Sequence, residues 1–199
     1  MVRPGGGDAR SLQAWRLALA RGAARPSAHF VELVTHPVSR WKRSTTVSEV
    51  ELIQAEPRSF VGLRHNLRFT ALGPFLSDAL PKTLAWLRAK GIPPASPPMA
   101  MWSSEEVESG VGDCHAGYFV AEAQADDGLI TGGKTAGGDV LRIEHKGPYT
   151  TVGPSWQRLT QRAVMLGRNP GFGWEIYLDD PSEVAAEELR TLIYLPLLP

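Results

Sequence analysis

Ser59-Phe60-Val61-Gly62-Leu63-Arg64-His65, running on to Phe69-Thr70-Ala71-Leu72-Gly73-Pro74, decides the fold because it returns eighty residues later. The second copy reads Asp139-Val140-Leu141-Arg142-Ile143-Glu144-His145, then Tyr149-Thr150-Thr151-Val152-Gly153-Pro154. His, Thr, Gly and Pro recur identically, while Phe/Val, Leu/Ile, Phe/Tyr and Leu/Val recur in character. The shared order of strand, turn and helix points to an internal repeat.

Each copy opens with a strand, Val61–His65 or Val140–His145, and enters an amphipathic helix. Leu72, Leu76, Ala79, Leu80, Leu84 and Leu87 recur at three and four residues and form one apolar stripe. The second stripe is Val152, Trp156, Leu159, Ala163 and Leu166. Pro74 and Pro154 suit a first helical turn, where a missing amide hydrogen costs little. Pro81 falls mid-pattern and predicts a kink or break. Lys90-Gly91 and Gly167 mark the helix ends. Two more strands follow in each copy: Met99–Ser103 and Ala116–Ala123, then Trp174–Asp179 and Leu189–Leu195. Asp126-Asp127-Gly128 and Gly132-Gly133 read as the turns between copies. The expected fold is α+β: two βαββ modules related by a pseudo-two-fold axis, with helices on one face of antiparallel sheet. The modules span about residues 48–125 and 126–197, after a basic extension over residues 1–47.

Composition narrows the function. With 43% hydrophobic and 21% charged residues in 199, the chain is globular rather than disordered. No apolar run is long enough to cross a bilayer. The single cysteine, Cys114, favours a reducing compartment, and a cytoplasmic location is expected. A net charge of zero conceals a division. Residues 1–44 carry eight basic and two acidic side chains, against thirteen basic and nineteen acidic in the remainder. An Arg-rich, acid-poor start has the composition of a transit peptide; the simpler reading is a weakly ordered extension. An acidic body disfavours direct nucleic-acid binding and suits neutral or cationic small molecules.

Alternation places Trp174, Ile176 and Leu178 on one strand face, expected against the helix, and Glu175 and Tyr177 on the other. Aligned at a shift of 75, the first copy sets Ala100 beside Glu175 and Trp102 beside Tyr177. One copy thus offers a carboxylate where the other offers a methyl group. A carboxylate withdrawn from water is costly unless paired, and a flat cation held between aromatic faces both pairs it and gains cation–π attraction. An ordinary exposed Glu beside a satisfied Tyr is the alternative on alternation alone. Tyr118 and Glu122 share another strand face and are either lining or solvated. His65, His145 and the Cys114-His115 pair lack the ligand spacing of a zinc site, and no metal is expected. The glycine-rich segments form no phosphate loop, and Cys114 has no adjacent base to activate it.

His145-Lys146-Gly147-Pro148-Tyr149, Trp156, Trp174-Glu175-Ile176-Tyr177-Leu178-Asp179-Asp180-Pro181 and Glu187 through Pro196 resemble the GyrI-like small-molecule-binding family. That family also supplies effector-binding domains to AraC-type and MerR-type multidrug regulators. The resemblance covers about residues 48–197. It implies a ligand cleft between modules, with Glu175 as the main ligand-facing acid and Tyr149 as a lining residue. Asn66-Leu67-Arg68-Phe69 replaces the Gly-Pro-Tyr turn in the first copy. The expected ligand is an aromatic, cationic or polar-aromatic small molecule, lined by Glu175, Tyr177, Tyr149, Trp102, Tyr118 and His145. Similar stand-alone members hydrolyse cyclopropane-bearing genotoxic natural products, which would make Glu175 and Tyr149 catalytic. A gyrase or regulator as protein partner is a further alternative. No cofactor is expected; haem would need His65 or His145 as axial ligand.

Overall fold

The computed structural model describes residues 48–106 and 110–198, which form one antiparallel sheet and two α-helices packed on it. The N-terminal extension assigned from sequence lies outside the described residues. The strands are β1 (Glu51–Ala55), β2 (Ser59–Arg68), β3 (Met99–Glu106), β4 (Val111–Phe119), β5 (Ile130–Lys134), β6 (Gly138–Lys146), β7 (Asn169–Pro170), β8 (Trp174–Tyr177) and β9 (Arg190–Leu198). Helix α1 (Leu72–Ala89) follows β2, and α2 (Gly153–Met165) follows β6. The sheet runs β1-β6-β9-β8-β3-β4-β2-β5, with the short β7 attached to β9.

That order is symmetric. Exchanging β1 with β5, β6 with β2, β9 with β4 and β8 with β3 reads it backwards, and the centre falls between β8 and β3. At the centre Ala100 lies directly opposite Glu175. The edges are exchanged: β1, which precedes β2 in the chain, pairs with β6, and β5, which precedes β6, pairs with β2. The sequence pattern predicts turns where β5 lies and does not reveal β1. Gly132 and Gly133 are strand residues paired with Val61 and Phe60, and a Cβ at Gly133 would stand 2.7 Å from the Phe60 ring, which leaves room only for glycine.

Both helices cover the same sheet face. Leu159, Ala163 and Trp156 of α2 pack on Leu141, Ile143, Ile193 and Leu195. Leu87 and the half-buried Leu84 of α1 pack on Val61, Tyr118 and Val120. The α1 stripe holds one polar residue, Thr83, whose Oγ1 donates to the Ala116 carbonyl at 2.9 Å and accepts from the Leu63 amide at 3.2 Å. A buried hydroxyl is tolerated there because both its roles are filled. Pro81 does not divide α1, which runs as one 18-residue helix. Pro81 and Ser77 are exposed, so the carbonyl that Pro81 leaves without an amide partner lies on the solvent side of the helix. Gly91 (φ 69°) and Gly167 (φ 66°) end the two helices in the left-handed conformation that their spacing predicted. The opposite sheet face has its own core of Phe60, Met99, Met101, Phe119, Val140, Trp174 and Ile176. No helix among the described residues is long and apolar enough to cross a membrane.

Candidate functional site

Glu175 points towards the helices, the reverse of the orientation expected for it. Trp174 and Ile176 lie in the core of the helix-free face, whereas Tyr177 packs with Trp102, Ala100, Cys114 and Leu67 on the helix side. Period-two alternation fixes which residues share a face but leaves open which face meets the helix. Here both faces of β8 are buried, so an apolar set on one side did not identify the helix-covered side.

The carboxylate is only 5% exposed and is held by two neutral donors. Trp156 Nε1 of α2 donates to Oε1 at 2.6 Å, and Tyr177 Oη donates to Oε2 at 2.8 Å. Among the described residues no cation forms a salt bridge with it. Burial pushes its pKa up, opposed in part by the two hydrogen bonds and by the nearby His145. Burial and the neighbouring carboxylate push the Tyr177 phenol well above its usual range, so it stays a donor. Gly173 makes the first bond possible: a Cβ there would stand 2.6 Å from the Trp156 ring, which therefore needs the bare backbone to reach Glu175. Trp156 reads as core from its place on the helix stripe; what marks it is that the indole is a buried donor needing an acceptor.

Aromatic rings crowd around this acid. Tyr149 meets Tyr177 edge to face at 5.2 Å, and Phe69 meets Trp102 at 5.1 Å. Tyr149 Oη reaches the Asp179 carbonyl at 3.4 Å. The Asp179 side chain is clamped by Arg190, whose Nε and Nη2 donate at 3.0 and 2.8 Å. The Arg190 guanidinium holds that carboxyl below the usual range. His145 is buried and fixes the turn before Tyr149. Its Nδ1 is 3.1 Å from Ser155 Oγ, and its Nε2 is 3.2 Å from Thr151 Oγ1 and 3.3 Å from the Pro148 carbonyl. Thr151 Oγ1 donates to the same carbonyl at 2.7 Å, so an Nε2–H tautomer satisfies the whole set.

Of the residues singled out from sequence, Glu175, Tyr177, Tyr149 and Trp102 come together. His145 supports the turn behind Tyr149. Tyr118 belongs instead to the core beneath α1, with Val61, Leu87, Val120 and Ile130. His65 is exposed and stacks on Phe75 at 5.7 Å, so the two matched histidines do not converge. Cys114 is fully buried, and burial together with Glu175 raises its thiol pKa, which makes it inert. The site is closed. Half-buried Phe69, Leu72, Phe75 and Leu76 pack against the cluster of Trp102 and Tyr177 and cover it. Two open concavities lie elsewhere, one lined by Phe119, Trp174 and Tyr194 on the opposite face and one beside Trp86 and Asp127.

Comparison with known proteins places this arrangement. The family described as GyrI-like small molecule binding domain matches residues 48–198, and the chain belongs to it. No curated protein matches in sequence. Among solved structures, the C-terminal domain of EcmrR is similar with a TM-score of 0.59 at 16% identity, covering 76% of this chain and 98% of that one. EcmrR in complex with DNA gives 0.64 at 15% identity, covering 78% of this chain and only 59% of that longer chain. SAV2435 bound to tetraphenylphosphonium gives 0.55 at 13% identity, covering 75% and 94%. At these identities the likeness is one of fold.

Proposed function

We propose that this domain binds an aromatic cation between its two helices, with Glu175 as the counter-charge and Tyr177, Tyr149 and Trp102 as the walls. The observation that carries the reading is a buried carboxylate with two neutral donors and no salt bridge among the described residues. Folding a protein around an unpaired acid is costly, and a cation that enters the site offsets that cost. Rings at 5.1–5.2 Å from one another supply faces and edges for a flat or multi-ring ligand. The similar SAV2435 structure holds such a cation, tetraphenylphosphonium. Entry requires the Phe69–Leu76 segment to move, because its side chains occupy the space the ligand takes. The biological role that follows is sensing or sequestering of aromatic toxins by a ligand-binding module.

Hydrolysis is the second reading, in which Glu175 activates water. A protein of similar fold from Listeria innocua is described as a hydrolase. Both oxygens of Glu175 already accept short hydrogen bonds, which favours binding over water activation. Calorimetric titration with tetraphenylphosphonium tests the proposal. Glu175→Gln keeps the shape and removes the charge, and is expected to weaken binding about tenfold to a hundredfold. Equal affinity in wild type and variant rejects Glu175 as the counter-charge. Multiple turnover of an activated cyclopropane substrate by the wild type, lost in the same variant, moves the assignment to hydrolase.

A further inference from the structure

Thr191 sits on β9 between the two polar arms of the site, directly opposite His145 on β6 and Tyr177 on β8. Alternation with Ile193 and Leu195, which pack against α2, puts its side chain on the helix face. It is completely buried, and its Oγ1 meets no hydrogen-bond partner. Neither neighbour bonds to it: His145 bonds to Ser155, Thr151 and Pro148, and the Tyr177 hydroxyl donates to Glu175. An orphaned buried hydroxyl is destabilising, and valine has the same shape without that penalty. By register, the counterpart in the first half is Cys114, opposite His65 and Trp102, so the hydroxyl stands only in the half that carries the acid.

We infer that Thr191 is a specificity-determining contact of this site: its free hydroxyl hydrogen-bonds an N–H or O–H group on the ligand. The site then prefers aromatic cations bearing amino or hydroxyl groups to cations of hydrocarbon alone. This rests on the binding reading above, in which Glu175 answers the charge; Thr191 answers the polar substituent.

A matched pair of probes separates the two roles: ethidium, which carries two aryl amines, and the same phenanthridinium without them. Affinities are measured by titration for wild type, Thr191→Val and Glu175→Gln. Thr191→Val is expected to raise the apo Tm and to cut the preference for ethidium about tenfold, leaving the deaminated cation nearly unchanged. Thr191→Ser, which keeps the hydroxyl, is expected to keep the preference. An unchanged ratio of affinities in Thr191→Val overturns the inference, as does a lowered apo Tm, which would mean that the hydroxyl is already partnered. Loss of both probes in Glu175→Gln alongside an unchanged Thr191 ratio sinks this inference alone. Failure of both probes to bind wild type sinks it together with the binding reading.

Discussion

Glu175 and Ala100 face each other across the centre of the sheet, and the two halves of the molecule differ most at this pair. The second half surrounds its residue with polar groups: Trp156 and Tyr177 on the carboxylate, Tyr149 beside them, and His145 with Ser155 behind. At the matched positions the first half has Leu76, Trp102, Phe69, an exposed His65 and Phe75. The first half fills the space with hydrocarbon, and the second provides hydrogen bonds and one acid. A symmetric strand order thus carries its polar groups on one side. Two facing acids would repel each other inside the protein, so only one half can carry the charge.

Making the halves alike should break the fold. Ala100→Glu puts a second carboxylate opposite Glu175 at a fully buried position. It is expected to cost about 3–5 kcal/mol, lowering Tm by roughly 10 °C or more, as read by thermal unfolding. Ala100→Glu combined with Glu175→Ala moves the acid to the first half, whose matched positions hold Leu76 and Trp102 in place of Trp156 and Tyr177, and should recover little of that loss.

A smaller effect probes the wiring around the acid. Gly173→Ala places a methyl group 2.4 Å from the Tyr194 carbonyl oxygen and 2.6 Å from the Trp156 ring. The indole must withdraw from Glu175, at an expected cost of about 1–3 kcal/mol in chemical denaturation. Ligand affinity should fall with it. Unchanged stability and affinity would show that the second half does not depend on the Trp156 bond.

The smallest effect concerns pH, because each half buries a titratable group of opposite sign. In the first half His115 is held neutral by burial between Ser103 and Thr131, and its pKa falls from 6.5 to about 4. The unfolded chain binds that proton first, so this contribution to stability is lost as pH drops from about 6.5 towards 4. Glu175 has a raised pKa in the folded state, so its contribution is complete below the unfolded value of 4.5 and is lost as pH rises. Between about 4.5 and 6.5 the two slopes oppose each other. Stability of the wild type should rise less with pH there than that of Glu175→Gln, which should gain stability by at most about 1.4 kcal/mol per pH unit. The same slope in both proteins would mean that Glu175 is ionised in the closed site.

Much of this was legible in the chain. Repetition at eighty residues gave the paired strands and helices, and the glycines at 91 and 167 marked the helix ends. The shift of 75 made Ala100 and Trp102 the equivalents of Glu175 and Tyr177; at the centre of the sheet Ala100 also lies opposite Glu175, whereas Trp102 bonds to Gly173 and Tyr177 to Pro98. Tyr118 was misplaced because strand β4 begins at Val111 and passes beneath α1, so its helix-facing residues serve two different cores. The exchanged edges were missed because β1 and the glycine-containing β5 are five-residue strands whose partners lie in the other half.

Local chemistry, written residue by residue, determined the elements of this protein, their repetition and the single acid that distinguishes one copy from the other. Periodicity and helix-ending signals act over a few residues, and a sequence shows them directly. The tertiary structure alone decided which side of β8 lies under the helices, that Trp156 lends its indole to Glu175, and that the Thr191 hydroxyl is left alone. Those outcomes depend on contacts between residues far apart in the chain, where packing and the pairing of buried polar groups select one arrangement among several that the same pattern allows.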